Sequence, residues 1–170
     1  VDTAKLDAFA AESVVFDRSF CSAAACTPSR NCVMTGMAAH SSGGVGLAHM
    51  GWPLHDSVRT AVDCFNDAGW ETIHSGTQHE RHPTTMRFQT ELLTDFGDQS
   101  ADIAVDHALD YLKSRRDDRS FFGFVGTQQP HAGSWRSEEQ IEKYGGAVNP
   151  ENAWVPPGTI DSAFSRRFFG

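Results

Sequence analysis

The sequence has no apolar run long enough to cross a membrane and no excess of positive charge. Its 170 residues carry 22 acidic and 14 basic side chains, a formal net charge of −8. A chain this acidic repels nucleic acids and other polyanions unless basic residues cluster locally. We therefore expect neither a membrane span nor a nucleic-acid partner, and an anionic ligand would have to be held in a local pocket.

Spacings typical of metal sites are also missing. The four cysteines, at positions 21, 26, 32 and 64, form no Cys-x-x-Cys pair, which disfavours a structural zinc site. They leave room for at most one structural disulfide if Cys26 is catalytic. His40, His49 and His55 surround a glycine-rich loop over residues 37–52. Because they lack the paired spacing of a helical metal motif, we interpret them as loop or pocket-rim residues.

The segment from Cys26 to Arg30 carries the strongest chemical signal. Thr27 can act as an N-cap and Pro28 suits the first helical position, which predicts a helix over residues 28–37. Cys26 would then lie at the positive end of that helix, where backbone N–H groups favour an anion and lower the pKa of a thiol. Arg30 projects from the same face. Cys26 is thus either an activated thiol or a small buried residue in front of a helix.

Alternating apolar runs and helical periodicities predict the fold class. We expect a three-layer α/β/α domain with a mostly parallel central sheet. The predicted strands lie near residues 14–16, 70–74 and 121–126, and the predicted helices lie over residues 5–13, after Pro28, after Ser57 and over residues 101–113. Residues 78–98 have no periodicity and are predicted to form a loop, and residues 137–144 a short helix. The mixed charges over residues 115–119 are predicted to be the solvated end of a helix.

Two histidines follow predicted strands. His79 comes after the strand near Trp70, and His131 comes after the strand near Phe121. Ligands of open α/β sheets gather beyond the carboxyl ends of the strands. We therefore expect Cys26, Arg30, His79 and His131 to line one pocket, although a loop histidine in solvent is the plain alternative for either residue.

Several segments of the chain resemble one enzyme family. Cys-x-Pro-Ser-Arg at residues 26–30, followed by Thr35-Gly36, resembles the signature of the type I sulfatases, in which the cysteine is oxidised to formylglycine. Residues 6–16 resemble the segment before that signature. Residues 40–49 resemble the loop after it, particularly in the branch related to heparan N-sulfatases. Gly76 and His79 match a Gly-Lys-x-His motif in which Thr77 replaces the lysine, and residues 120–131 resemble a strand ending in Pro-His.

The resemblance covers nearly all of this chain but only the middle of the catalytic domain of the family. In that family a strand with paired aspartates comes earlier, and an Asp-Asn metal pair with a further lysine comes later. The chain begins with Val1 rather than Met and shows no charged segment followed by an apolar leader. We therefore interpret residues 1–170 as a partial catalytic domain, either a processed product or, as we favour, a piece of a larger protein.

The resemblance also implies a reaction. A hydrated formylglycine at position 26 would attack a sulfate ester or sulfamate of a small molecule or glycan, and it would contact a divalent cation, calcium in this family. A formylglycine-generating enzyme would be the partner during maturation, and the compartment would be periplasmic or otherwise outside the cytoplasm. The implied catalytic residues are Cys26, Arg30, His79 and His131, and the implied substrate-binding residues are Thr77 and Gln78.

Two other functions remain open. The same modified cysteine serves phosphonate and phosphate monoester hydrolases of the superfamily, and the chain could also be a catalytically inactive remnant. The carboxylates that hold calcium in the family are not recognisable here, and Thr77 replaces one sulfate-binding lysine. We therefore predict that the chain on its own hydrolyses sulfate esters poorly or not at all.

Overall fold

The structure is a computed structural model that describes residues 3–79, 87–92, 101–116, 118–128, 131, 151 and 155–169, with side chains up to Arg166. In chain order the helices are α1 (Ala4–Ala11), α2 (Cys26–Thr35), α3 (Ala39–Ser42), a 3-10 helix (Ala48–Met50), α4 (Ala61–Asp67), α5 (Ala101–Ser114) and α6 (Ala163–Phe169). The strands are β1 (Glu71–Gly76), β2 (Thr90–Leu92) and β3 (Phe121–Gly126). No helix among the described residues is long and apolar enough to cross a membrane.

The three strands form one parallel sheet in the order β2-β1-β3. All six residues of the central strand β1 are buried. Its side chains alternate between two faces. Ser75 donates its hydroxyl hydrogen to Ala104 O of α5 at 2.7 Å, whereas Thr72, on the other face, donates to Asn66 Oδ1 of α4 at 2.8 Å. Helices therefore cover both faces of the sheet, and the predicted α/β architecture with a parallel sheet is confirmed.

A small aromatic core joins the sheet to α2 and α4. Met34 and Val62 pack with the buried Phe88, and Phe122 and Phe124 of β3 pack against this cluster. The rings of Phe88 and Phe122 are nearly parallel, with centroids 6.4 Å apart. Because Met34 belongs to α2, this core fixes that helix against one face of the sheet.

A polar cluster ties the amino end of β1 to α5. Tyr111 and Arg115 both donate hydrogen bonds to the buried carboxylate of Glu71. The hydrogen bond to Glu71 raises the pKa of Tyr111. The guanidinium of Arg115 also lies over the ring of Phe121, 5.2 Å from its centroid. The prediction that residues 115–119 are a solvated helix end is therefore wrong for Arg115, which is held by the start of the sheet.

The predicted strand near Val14 is wrong. Residues 14–20 contain no strand, and Phe16 and Phe20 are 78% and 88% exposed. A strand forms only when its backbone groups pair with a neighbouring strand, and none of the described strands lies beside this segment. The preceding helix α1 does form, but none of its residues is buried.

Three further elements of the structure differ from the predictions made from the sequence. The helix predicted after Ser57 begins only at Ala61, because Thr60 is the N-cap and forms a capping box with Asp63. The loop predicted over residues 78–98 contains the short strand β2. The helix α6 was not predicted, and the helix predicted over residues 137–144 lies outside the described residues.

Candidate active site

Cys26 is the first residue of α2 rather than the residue before it. The preceding Ala25 is extended, with φ −150° and ψ 153°, and Ser29 N donates to Ala25 O at 2.9 Å. The helix therefore starts two residues earlier than predicted, and Thr27 is not its cap. At the other end Gly36 has φ 66°, which favours glycine, and it ends the helix. The half-buried Cys26 thus lies in the first turn, at the positive end of the helix dipole.

Thr27 holds this first turn in place from within the protein. Its side chain is fully buried, and its hydroxyl donates to His79 O at 2.6 Å and accepts from Ala48 N at 3.1 Å. One hydroxyl therefore joins three segments: the start of α2, the turn after β1 and the 3-10 helix. This contact brings the backbone of His79 next to the residue that follows Cys26.

Two glycines shape the turn that carries Thr77, Gln78 and His79. Gly76 and Gly126 end β1 and β3 in register, and Thr77 N donates to Gly126 O at 2.8 Å. A Cβ on Gly76 would lie 2.2 Å from Gly126 O, and a Cβ on Gly126 would lie 2.1 Å from Thr77 O. Only glycine permits this approach of the two strand ends. His74 Nε2 also lies 3.3 Å from Thr77 O, so the turn is braced on two sides.

Arg30 lines a cavity beside the carboxyl end of β3. This cavity measures about 380 Å³ and is bounded by α2 residues 29–34 on one side and residues 124–127 on the other. His131 is exposed beyond the same strand end, and its N–H donates to Gln128 O at 2.8 Å. The start of α2, the β1 turn and the segment after β3 therefore all lie towards one edge of the sheet. A single pocket shared by Cys26, Arg30, His79 and His131 stays a prediction.

The proximity of the His49 and His79 rings was not predicted from the sequence. The two imidazole rings are 6.1 Å apart between centroids and tilted by 52°. His49 belongs to the 3-10 helix that Thr27 anchors, which explains why the two rings meet. The sequence offered one signal, since residues 40–49 resemble the loop after the sulfatase signature.

The described residues do not form a metal site. No group of three or more His, Cys, Asp or Glu side chains among them could hold a metal ion. Calcium takes several oxygen ligands, and the described residues do not bring such ligands together, so they do not fit calcium. All four cysteines, each within the described part of the chain, are free thiols, so the one disulfide that the sequence allowed is not formed.

Comparison with known proteins relates the chain to enzymes of one kind. A family model described as Sulfatase matches residues 1–155. The chain is 29% identical over 143 residues to the N-sulphoglucosamine sulphohydrolase of Homo sapiens, covering 77% of this chain and 27% of that relative. A solved protein in complex with its substrate, D-glucosamine-2-N,6-O-disulfate, has a TM-score of 0.74 at 20% identity, covering 88% of this chain and 34% of that one. The chain therefore spans about a quarter to a third of the length of these proteins.

Proposed function

The chain belongs to the sulfatase family, and from this premise we propose that it carries the nucleophile part of an enzyme that hydrolyses sulfate esters or sulfamates of sugars. A sulphohydrolase of N-sulphoglucosamine and a protein complexed with a disulfated glucosamine support the sugar as substrate class. The observation that carries the proposal is the pair of hydrogen bonds made by Thr27. They hold the first turn of α2, with Cys26, against the turn that carries His79.

The proposed chemistry begins with a separate maturing enzyme that converts Cys26 to formylglycine, with dioxygen as the oxidant and with loss of the sulfur. Water then adds to the aldehyde to give its hydrate. One hydroxyl of the aldehyde hydrate attacks sulfur, and the sugar oxygen or nitrogen leaves with a proton. The second hydroxyl then loses its proton and expels sulfate, which restores the aldehyde. His79 and His131 are the proposed proton-transfer residues, because an imidazole titrates near neutral pH.

The positive end of α2 and the guanidinium of Arg30 supply the electrostatic part of the proposal. Both favour the negative charge that develops on the sulfuryl oxygens. Thr77 stands where the family has a lysine, so one positive charge is missing from this turn. Arg30 therefore has to carry more of the anion binding, with Thr77 and Gln78 as neutral hydrogen-bonding partners. Since the described donors do not fit calcium, no step of the proposal uses a metal ion.

The proposal is tested by maturing and assaying the chain. Co-expression with a formylglycine-generating enzyme should give the aldehyde at position 26, seen by mass spectrometry. We expect slow turnover of N-sulfoglucosamine, far below the rate of a full-length relative, because the chain spans 27% of the curated relative. Cys26→Ala should abolish this turnover. Cys32→Ala is the matched control, since Cys32 lies in the same helix and is buried but is not the proposed nucleophile.

The substrates in the assay decide between the remaining alternatives. Faster hydrolysis of phenyl phosphonate than of an aryl sulfate or sulfamate would favour a phosphonate or phosphate monoester hydrolase. An aldehyde that forms without turnover of any of these substrates would favour an inactive remnant. Turnover that survives Cys26→Ala would contradict the proposed nucleophile.

A further inference from the structure

A cavity outside the Cys26 region lies in the loop between α3 and α4. It measures about 460 Å³, within the range of about 300–1,000 Å³ that is usual for small-molecule sites. Its walls include Trp52, His55 and Asp56, with Gly43 and Gly51 between them. Leu54 is 2% exposed and anchors the loop to the interior.

Both aromatic rings of this cavity rest directly on glycines. A Cβ on Gly46 would lie 2.6 Å from Cδ1 of Trp52, and a Cβ on Gly43 would lie 2.1 Å from Cδ2 of His55. Any side chain at either glycine would displace the ring above it. The rings are therefore held by the backbone beneath them, although Trp52 remains 52% exposed. A tryptophan ring that is held in place and half exposed offers a ligand both an apolar face and a polar N–H edge.

The charges around the cavity restrict what it can bind. Among the residues that the structure describes, no lysine or arginine lines it; the nearby Arg87 donates to the backbone oxygen of Asp56 at 3.1 Å. The exposed carboxylate of Asp56 would repel a sulfate or phosphate group. The same carboxylate accepts hydrogen bonds from hydroxyl groups. One aromatic face beside hydrogen-bonding groups suits a molecule with an apolar face and a polar edge. A pyranose has this form, because its C–H bonds cover one face and its hydroxyls line the rim.

Backbone hydrogen bonds connect this cavity to the nucleophile. Trp52 N donates to Leu47 O at 3.2 Å, and Gly51 N donates to Ala48 O at 3.2 Å. Ala48 N in turn donates to the hydroxyl of Thr27, the residue after Cys26. The turn that presents Trp52 is thus fixed to the first turn of α2.

We propose that the Trp52 cleft, formed by Trp52, His55 and Asp56, is a subsite that binds the uncharged part of a sugar ring by stacking on the indole. As the subsite of a sulfatase it rests on the proposed function, but the sugar contact itself needs no catalysis. The cleft binds hydroxyls and C–H faces, while the anionic group of the same substrate lies at Cys26.

The test measures binding of an unsulfated sugar to the unmodified chain. Saturation-transfer NMR with N-acetylglucosamine should detect binding to the wild type, and Trp52→Leu should weaken it by about tenfold or more, since the aromatic face is lost. Trp70→Leu is the matched control. Trp70 is also partly exposed, but it lies beside the amino end of β1, away from the Trp52 cleft. It should change the affinity by less than about twofold.

A second variant keeps the proposal falsifiable if Trp52→Leu fails to fold. Asp56→Ala removes an exposed carboxylate and should weaken sugar binding by roughly threefold to tenfold, as expected for one lost hydrogen bond. Equal affinity of the wild type and of folded Trp52→Leu or Asp56→Ala would overturn the proposal. So would an equal loss in Trp70→Leu, or no measurable binding to the wild type. Because the probe carries no sulfate and the chain no aldehyde, none of these results depends on the hydrolysis assay.

Discussion

Replacing Thr27 by valine tests how the first turn of α2 is held. Valine has nearly the same shape but no hydroxyl. The substitution therefore removes the 2.6 Å hydrogen bond to His79 O and the 3.1 Å hydrogen bond from Ala48 N without opening a cavity. The backbone groups His79 O and Ala48 N, which belong to different segments, therefore lose their partner. The Thr27 side chain that bound them is fully buried.

The expected magnitude follows from those two groups. A buried polar group that loses its partner destabilises a protein by about 1–3 kcal/mol. Both bonds are only part-buried, so water recovers some of this energy. We expect Thr27→Val to lower the free energy of unfolding by about 2–4 kcal/mol. The amide hydrogen of Ala48 should also exchange faster with solvent, because its acceptor is gone.

Thr35→Val is the matched control in the same helix. The hydroxyl of Thr35 also makes two hydrogen bonds, donating to Asn31 O at 2.6 Å and accepting from Met37 N at 3.1 Å. These bonds join near neighbours at the exposed end of α2, so we expect a loss of about 1 kcal/mol in urea unfolding. If Thr27→Val and Thr35→Val lowered the free energy equally, with no change in Ala48 exchange, the anchoring role of Thr27 would be refuted.

Three further predictions concern stability and can be measured by urea or thermal unfolding. Burial raises the pKa of the Asp63 carboxyl, but hydrogen bonds from Thr60 and a neighbouring arginine outweigh it and hold the pKa below its usual value. The stability lost in Asp63→Asn, about 1 kcal/mol, should therefore be constant at neutral pH, begin to shrink near the unfolded pKa of about 4, and disappear once the pH is below the lowered pKa of the folded state; a difference that persisted at still lower pH would contradict this. Gly76→Ala should lower the free energy of unfolding by more than about 3 kcal/mol, because its Cβ would meet Gly126 O at a residue with φ 87°, whereas a small effect would mean that the strand ends can separate. Glu71→Ala should cost about 3 kcal/mol, because the guanidinium of Arg115, whose side chain is only 14% exposed, would lose its carboxylate partner, and a loss below about 1 kcal/mol would show that water replaces the carboxylate.

The elements that the sequence predicted correctly are those with a local pattern. β3 is an unbroken apolar run, and α5 repeats apolar residues at helical spacing, so each could be located without its neighbours. An unbroken apolar run also predicts that the strand is buried, and this is wrong for β3, because residues 121, 123 and 125 are exposed. β2 could not be predicted in this way, because its three residues form a strand only by pairing in parallel with β1, where Ile73 lies opposite Thr90. The apolar residues near Val14 show the converse. Their pattern suits a strand, but no described strand pairs with them.

The connections between the candidate site residues could not be predicted from the sequence. Thr27 before Pro28 is typical of an N-cap, and this local rule failed because Ala25 is extended and lets the helix begin at Cys26. The hydroxyl was then available for partners 52 and 21 residues away, which no local pattern encodes. The contact of Gly46 with the Trp52 ring could not be predicted either, since the sequence shows only that residues 43–46 are rich in glycine.

Thr27, the residue after Cys26, joins separate parts of the candidate site. Its hydroxyl accepts from the 3-10 helix that carries His49 and leads into Trp52, and it donates to the turn that carries His79. No backbone–backbone hydrogen bond among the described residues joins either segment to α2. A shift of the first helical turn would therefore move Cys26 relative to both. We therefore propose that the Thr at the second position of the Cys-x-Pro-Ser-Arg motif is a positioning residue, and that it acts through its hydroxyl rather than through its size.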